Sequence, residues 1–370
     1  MSARFLTAVS GRASNMRDRF GREIDYMRIS VIDSCNLNCY YCNPQDNNKK
    51  CQAINILSVK KVLCIVRAAT RLGIKHFRLT GGEPLLHPQL DEMVLQIKKI
   101  PGVSSVSLTT NAVLLVQHAK WLKEAGIDSI NVSLDTIDAS EYERITKKPL
   151  LEEVKNGINA AIECGIRVKI NAVLTPQTDV VALTRYVAKK GTDIRFIEMM
   201  PVGEGHTNGV EPYKKVIGTL SKLYGEPCRI NTEKTKEINS GNDKRKIPDN
   251  GPAEYYIFPE LGIRVGLIQA IHGKFCDTCN RIRVTADGRL MPCLGSSVTM
   301  DLVPDSWDFA DDVEKDFAIV RALRAAIKAK PRCHNFNDNA VTYTKTTETK
   351  TTEIEAAEVN AARNMSRIGG

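Results

Sequence analysis

Apolar and polar positions in the first two-thirds of the chain follow two alternating periods. Short apolar runs at 26–32, 74–80, 103–109, 127–134, 166–174 and 193–198 read as strands. Segments near 58–72, 88–99, 113–125, 151–164 and 178–190 repeat apolar residues at helical spacing. In the first of these, Ser58 is placed to cap, Val59, Val62, Leu63, Val66 and Ala69 form the apolar face, and Gly73 is the stop. The same punctuation recurs at Leu72-Gly73-Ile74, Ala125-Gly126-Ile127 and Cys164-Gly165-Ile166, where a helix ends and an apolar run begins. Strands alternating with helices of this length predict a parallel sheet with right-handed crossovers. Six units are too few for a closed eight-stranded barrel, and no Gly-x-Gly-x-x-Gly follows the first strand. The predicted fold class is therefore α/β, a partial (β/α)6 barrel of TIM type, with a C-terminal α+β extension.

The pattern changes after residue 230. Asn231 to Gly251 is polar and reads as a long loop. Tyr255-Tyr256-Ile257-Phe258 and Gly262 to Ile268 read as short strands around a turn, and helical spacing resumes near 312–330. From Pro331 onward, Thr/Lys/Glu-rich sequence predicts a poorly packed tail. The expected organisation is an N-terminal arm over 1–25, the partial barrel over 26–230, a C-terminal region over 231–330 and a tail over 331–370. Arg4, Arg12 and Arg17 precede the first acid, Asp18, as in a transit peptide, but a plain arm is the reading adopted.

Composition narrows the function classes. With 42% hydrophobic and 26% charged residues the chain reads as an ordinary globular protein, about two domains in length. No apolar run reaches the roughly 18 residues of a membrane span. A net charge of +9 admits nucleic acid, a membrane surface or a phosphorylated small molecule, yet no block of consecutive basic residues marks a nucleic-acid tail. Eleven cysteines, odd in number and clustered at short spacings, favour metal over disulfides. Cys64 and Cys164 fall inside helical patterns and read as small buried hydrophobes.

Two cysteine groups carry the chemistry. Cys35, Cys39 and Cys42 form C-x3-C-x2-C directly after the first strand. Three thiolates on one loop can hold three irons of a [4Fe–4S] cluster and leave the fourth open; a structural zinc knuckle or three buried thiols is the alternative. Cys276, Cys279 and Cys293 form C-x2-C-x13-C, either a zinc site with His272 as fourth ligand or a second trio with an open iron. Thr80-Gly81-Gly82-Glu83-Pro84 ends the second strand, where paired glycines let backbone approach a ligand. Thr109, Thr110, Asn111, Ser133, Asp135, Asn171, Glu198, Met199 and Met200 also fall at strand ends, placed for ligand contact or helix capping. Lys169 lies between Val168 and Ile170 in a buried-type strand and needs a polar lumen. Arg281 and Arg283 alternate on one strand face and suit phosphate or a purine edge.

C-x3-C-x2-C followed by Gly-Gly-Glu-Pro resembles the radical S-adenosylmethionine (SAM) superfamily. The second trio, the Cys279-Asn280-Arg281-Ile282-Arg283 run and the terminal Gly369-Gly370 resemble, within it, the GTP 3′,8-cyclase family of molybdenum cofactor biosynthesis, the MoaA family. The likeness runs from about Asp18 to Leu294 and returns at the last residues. It implies a lyase that converts GTP to (8S)-3′,8-cyclo-7,8-dihydroguanosine 5′-triphosphate, the first step of molybdopterin synthesis. A 5′-deoxyadenosyl radical would take the ribose C3′ hydrogen. The resemblance implies two [4Fe–4S] clusters, the first on Cys35, Cys39 and Cys42 and the second on Cys276, Cys279 and Cys293. Tyr41, Gly82, Ser133 and Met200 would contact SAM. Arg28, Arg78, Thr109, Lys169, Arg281 and Arg283 would contact GTP. Cys35, Cys39, Cys42, Arg281, Arg283, Gly369 and Gly370 would be catalytic. A flavodoxin- or ferredoxin-like electron donor, hand-over to the next pathway enzyme, a cytoplasmic location and no nucleic-acid or membrane partner are implied too, and a homodimer is admitted.

Three residues depart from the family pattern. Asn43 stands for a usual methionine, Ser34 for an arginine, and Ala112 for a glycine after Thr-Thr-Asn. Ala112 would perturb its turn if that turn needs a positive φ. The 341–360 stretch matches nothing placed. Two alternatives compete: a peptide-modifying radical SAM enzyme with an auxiliary cluster, and a zinc-dependent nucleic-acid-binding protein.

Overall fold

A computed structural model describes residues 16–42, 54–202, 209–230, 251–296, 298–302, 312–334 and 336. Residues 1–15 of the expected arm, Asn43, Cys51, the polar stretch 231–250 and the tail 337–370 with Gly369 and Gly370 lie outside the described residues.

All six predicted strands form, with the five predicted helices between them. In chain order they are β1 (Tyr26–Ser30), α1 (Val59–Arg71), β2 (His76–Thr80), α2 (Leu90–Lys98), β3 (Ser105–Thr110), α3 (Leu115–Glu124), β4 (Ser129–Ser133), α4 (Ala139–Thr146), α5 (Leu151–Glu163), β5 (Val168–Val173), α6 (Val180–Lys189) and β6 (Asp193–Ile197). The helix α4 is an addition that the apolar pattern did not suggest. Caps agree with residue chemistry. Ser58 Oγ accepts from Lys61 N, Asp138 from Glu141 N, and Asp179 from Ala182 N. The predicted stops Gly73, Gly126 and Gly165 all carry positive φ.

A π-helical turn at Tyr213–Ile217 leads into α7 (Gly218–Tyr224). Six further strands follow: β7 (Cys228–Ile230), β8 (Glu254–Ile257), β9 (Arg264–Ile268), β10 (Arg281–Val284), β11 (Arg289–Met291) and β12 (Met300–Asp301), before α8 (Asp312–Ala329). The described strands make one sheet in the order β12-β11-β10-β1-β2-β3-β4-β5-β6-β9-β8-β7. β1 to β6 are parallel neighbours, and β10 and β9 pair in parallel with the β1 and β6 edges. The C-terminal half thus extends the partial barrel at both edges.

The two faces of this sheet differ because side chains alternate along a strand. Met27, Ile29, Phe77, Leu79, Ile130, Ile194 and Phe196 are fully buried under the helices. Each is worth about 1.5–3 kcal/mol of burial, so the outer face holds the sheet together. The inner face carries Tyr26 and Arg28 on β1, Arg78 on β2, Asn131 on β4, Lys169 and Asn171 on β5, and Arg195 on β6. A lumen this polar is poor core material and good ligand surface.

The glycine pair after β2 has a structural reason that the sequence reading placed elsewhere. A Cβ on Gly81 would stand 2.2 Å from the Ile32 carbonyl oxygen, and one on Gly82 2.1 Å from that of Ser34. The close approach is to the backbone leading into Cys35, and Gly82 N and Glu83 N donate to those same two carbonyls. Ala112 has φ 66°, so the turn after β3 does demand the left-handed conformation, and alanine bears it.

Candidate active site

One cavity of about 330 Å³ runs through the lumen and touches both cysteine trios. Cys35, Cys39 and Cys42 follow the C-terminal end of β1, with Gly82 after β2, Ser133 ending β4 and Met200 after β6. Cys276 and Cys279 precede β10, which runs parallel to β1, so they stand at the opposite, N-terminal ends of the strands. Cys293 joins them because β11 runs antiparallel to β10. The trios are therefore separated by the length of β1, roughly 16 Å at 3.3 Å per residue.

Arginines occupy the span between. Register places Arg283, Arg28 and Arg78 side by side on β10, β1 and β2, about 4.8 Å apart at the backbone. Arg281 lies one lumen layer nearer the second trio, level with Tyr26. Burial, then the charges of Arg283 and Arg78, lowers the Arg28 guanidinium well below its ordinary value. Burial and Arg281 bring Arg283 down to about 10, still charged at neutral pH. The Nε of Arg281 is buried without a hydrogen-bond partner, and its guanidinium lies 5.1 Å over the Phe275 ring. Like charges gathered in a buried lumen call for a polyanion.

The first mouth is built differently. The Glu83 carboxylate accepts from Leu85 N, Thr110 Oγ1 and Asn111 N at 2.6–3.0 Å, fixing the turn after β3. Burial still pushes Glu83 up to about 7. Asn111 Nδ2 donates to Asn36 and, at 3.8 Å, to Cys35 Sγ. Asp135 accepts from Val173 N at 2.8 Å and from the Tyr41 hydroxyl, orienting that ring beside the thiols. Burial raises all three thiols, Cys35 to about 11 and Cys42 to about 12, and neighbouring thiols and acids push further. Ionised thiols in such a place would need a cationic centre such as iron beside them. At the second mouth burial also opposes ionisation, but Arg281 and Lys330 pull Cys279 down to about 7. Among the described residues no three His, Cys, Asp or Glu are arranged to hold a single metal ion. A cubane gives each thiolate its own iron, so its ligands need not converge on one point, and both trios fit that demand.

The cavity wall collects nearly every residue singled out from the sequence: both trios, Tyr41, Gly82, Ser133, Met200, Arg28, Arg78, Thr109, Arg281 and Arg283. Lys169 is not among its lining residues. It shares the lumen face, 8% exposed, with Nζ 5.9 Å from the Tyr255 ring centre. His272, the candidate fourth ligand, bonds through Nδ1 to the buried Glu198 carboxylate and is not among the residues that line the cavity. The chain from Pro331 to His334 is not loose. Arg22 donates to the Pro331 and Arg332 carbonyls, and Phe336 packs with Val202, Ala270 and Met291.

Three basic wall residues escaped the sequence reading. Arg195, 4% exposed, donates from Nε to Asn171 Oδ1 at 2.9 Å. Its signal was a basic residue between Ile194 and Phe196, with Gly266 opposite, whose Cβ would stand 2.8 Å from Arg195 Cγ. Lys330 and His334 gave no local signal, because long-range packing alone brings them to the cavity.

Comparison with known proteins agrees with this geometry. Residues 29–182 match the Radical SAM superfamily, and residues 192–336 match Molybdenum Cofactor Synthesis C. The chain is 36% identical over 327 residues to a GTP 3′,8-cyclase of Pelotomaculum thermopropionicum, covering 86% of this chain and 95% of the relative. It is 35% identical to a GTP 3′,8-cyclase of Petrotoga mobilis, with coverages of 88% and 96%. Among solved structures, Streptococcus suis SuiB bound to precursor peptide SuiA superposes with TM-score 0.55 at 15% identity, over 82% of this chain and 67% of that one. That likeness shows the fold alone.

Proposed function

The chain belongs to the GTP 3′,8-cyclase family of the radical SAM superfamily, and from that premise we infer that it cyclises GTP between ribose C3′ and guanine C8. The observation that carries this reading is one cavity with a cysteine trio at each end and a row of arginines between. The product is (8S)-3′,8-cyclo-7,8-dihydroguanosine 5′-triphosphate, the first intermediate on the way to molybdopterin.

Cys35, Cys39 and Cys42 hold the [4Fe–4S] cluster that the superfamily implies, and Cys276, Cys279 and Cys293 hold a second. When bound, the first cluster and SAM supply the 5′-deoxyadenosyl radical that takes the C3′ hydrogen. The protein contributes position and exclusion of water. Tyr41, Gly82, Ser133 and Met200 line the first mouth and contact SAM. Arg28, Arg78 and Arg283, with Thr109 and Arg281, neutralise and orient the triphosphate and place the nucleoside between the trios. Lys169, on the same lumen face, acts on that charge as well. The apolar outer face keeps the lumen rigid while the substrate is held.

The six-strand barrel over 26–230 acts as the radical-generating part, and the region over 231–330 as the auxiliary-cluster and GTP-binding part. An outside one-electron donor of flavodoxin or ferredoxin type completes the reaction, in the cytoplasm, and the product passes to the next pathway enzyme. The test is anaerobic incubation with reductant, SAM and GTP. Formation of 5′-deoxyadenosine that depends on GTP, from protein carrying about eight irons per chain, is the expected result. Stoichiometric zinc without iron would sink the reading.

A further inference from the structure

The segment that follows α8 is stitched across the second trio by two buried cations. On one flank Arg22 Nη1 donates to the Cys276 carbonyl at 2.7 Å and the Arg332 carbonyl at 2.9 Å, while Nη2 donates to the Pro331 carbonyl at 2.6 Å. On the other, Lys330 Nζ donates to the Arg281 carbonyl at 2.8 Å and the Pro292 carbonyl at 2.9 Å. Those last two carbonyls belong to the two separate segments that carry Cys279 and Cys293.

The two cations differ in how their charge is met. Arg22 has a buried carboxylate, Asp18, at 2.6 Å. Lys330 is 2% exposed and pairs with no carboxylate among the described residues. A buried ammonium with only carbonyls for company is costly, because carbonyl dipoles do not replace a counter-ion. The anionic groups within its reach are thiolates. Lys330 acts electrostatically on both Cys279 and Cys293. Net charge and hydrogen bonds to sulfur are the levers a protein has on an iron–sulfur cluster's potential.

We propose that Lys330 is the positioning and charge-compensating residue of the second cluster: it locks the two cysteine-bearing segments through their carbonyls and holds the cluster's reduction potential up. This rests on the reading that Cys276, Cys279 and Cys293 bind a cluster. Lys330 does so from outside both cysteine motifs, through the end of a helix far along the chain.

The test compares the full-length holoprotein with Lys330→Met, which keeps length without charge, and Lys330→Arg. Iron per chain is measured, and both clusters are titrated by electron paramagnetic resonance, the first being identified by its response to SAM. About eight irons in all three proteins, a second-cluster potential shifted negative in Lys330→Met alone, and an unmoved first cluster are expected. An unshifted second cluster in Lys330→Met overturns the proposal and leaves the two-cluster reading standing. About four irons and a single signal in the wild type overturn both. If Lys330→Met loses the second cluster, Lys330→Arg decides. A retained cluster at the wild-type potential supports the role, and loss in both variants overturns it.

Discussion

The two cysteine trios have the same composition and opposite surroundings. Cys35, Cys39 and Cys42 face Glu83 and Asp135, and burial with those acids raises their thiols. Cys276, Cys279 and Cys293 stand beside Arg281 and Lys330, which draw Cys279 down to about 7 against its own burial. SAM brings a sulfonium and an ammonium, so an acidic mouth suits it. GTP brings a triphosphate, so the mouth backed by Arg281 and the Arg283-Arg28-Arg78 row suits that. The cysteines alone do not distinguish the two ends; the charges around them do, and under the proposed function each end takes the ligand of opposite charge.

The largest break in that comparison is at the first trio. Cys39→Ala removes one of three thiolates, and SAM cleavage should fall to background. Iron should drop from about eight to about four per chain, with GTP binding kept. Chromatography of 5′-deoxyadenosine and iron analysis check both halves; retained cleavage refutes the assignment.

Arg283→Ala acts on the other ligand. A hydrogen bond to a charged group is worth about 1.5–3 kcal/mol, so calorimetry should show GTP binding weakened about 10- to 100-fold. Uncoupled cleavage of SAM should continue. Unchanged GTP affinity counts against the arginine row as the triphosphate site.

Asp135→Asn sharpens the contrast at smaller scale. It keeps the side chain's size but removes the charge that holds Tyr41. A loss near 1 kcal/mol predicts about fivefold weaker SAM binding by equilibrium dialysis, and GTP binding unmoved. Equal losses for both ligands would mean the ends are not separate.

The smallest effect concerns the wall itself. Ala112→Gly relieves a left-handed alanine, worth about 1–2 kcal/mol, and gives up a buried methyl worth about 0.8 kcal/mol. A net gain of up to about 1 kcal/mol should appear as an equal or higher melting temperature. A clear fall would show that packing of the methyl outweighs the backbone.

The barrel was legible because its information is local. Period, caps and the glycines at 73, 126 and 165 mark each unit, and the strand ends collect Gly82, Ser133 and Met200 without further help. What was not legible depends on distant pairing. Nothing near Arg281 says that β10 lies against β1, which is what sets Arg283 beside Arg28. Lys330 and His334 sit in an unremarkable stretch after α8, and long-range contacts draw it over the second trio: the Arg22 and Lys330 hydrogen bonds, His334 on the Ala270 carbonyl and the packing of Phe336. Lys169 shows the converse case: its strand face was legible, and it pairs in register with Asn131, which lines the cavity, but pattern does not report which of two such neighbours reaches the wall. His272 was a candidate ligand by spacing, and its Nδ1 is held by Glu198, a partner 74 residues away that spacing does not report.

The central claim is that a radical made at the first trio meets a GTP ribose held by the second. GTP deuterated at C3′, incubated anaerobically with SAM, reductant and the iron-loaded protein, tests it directly by mass spectrometry of the 5′-deoxyadenosine formed. Deuterium in that product is the predicted result. Unlabelled 5′-deoxyadenosine alongside consumed GTP would contradict it.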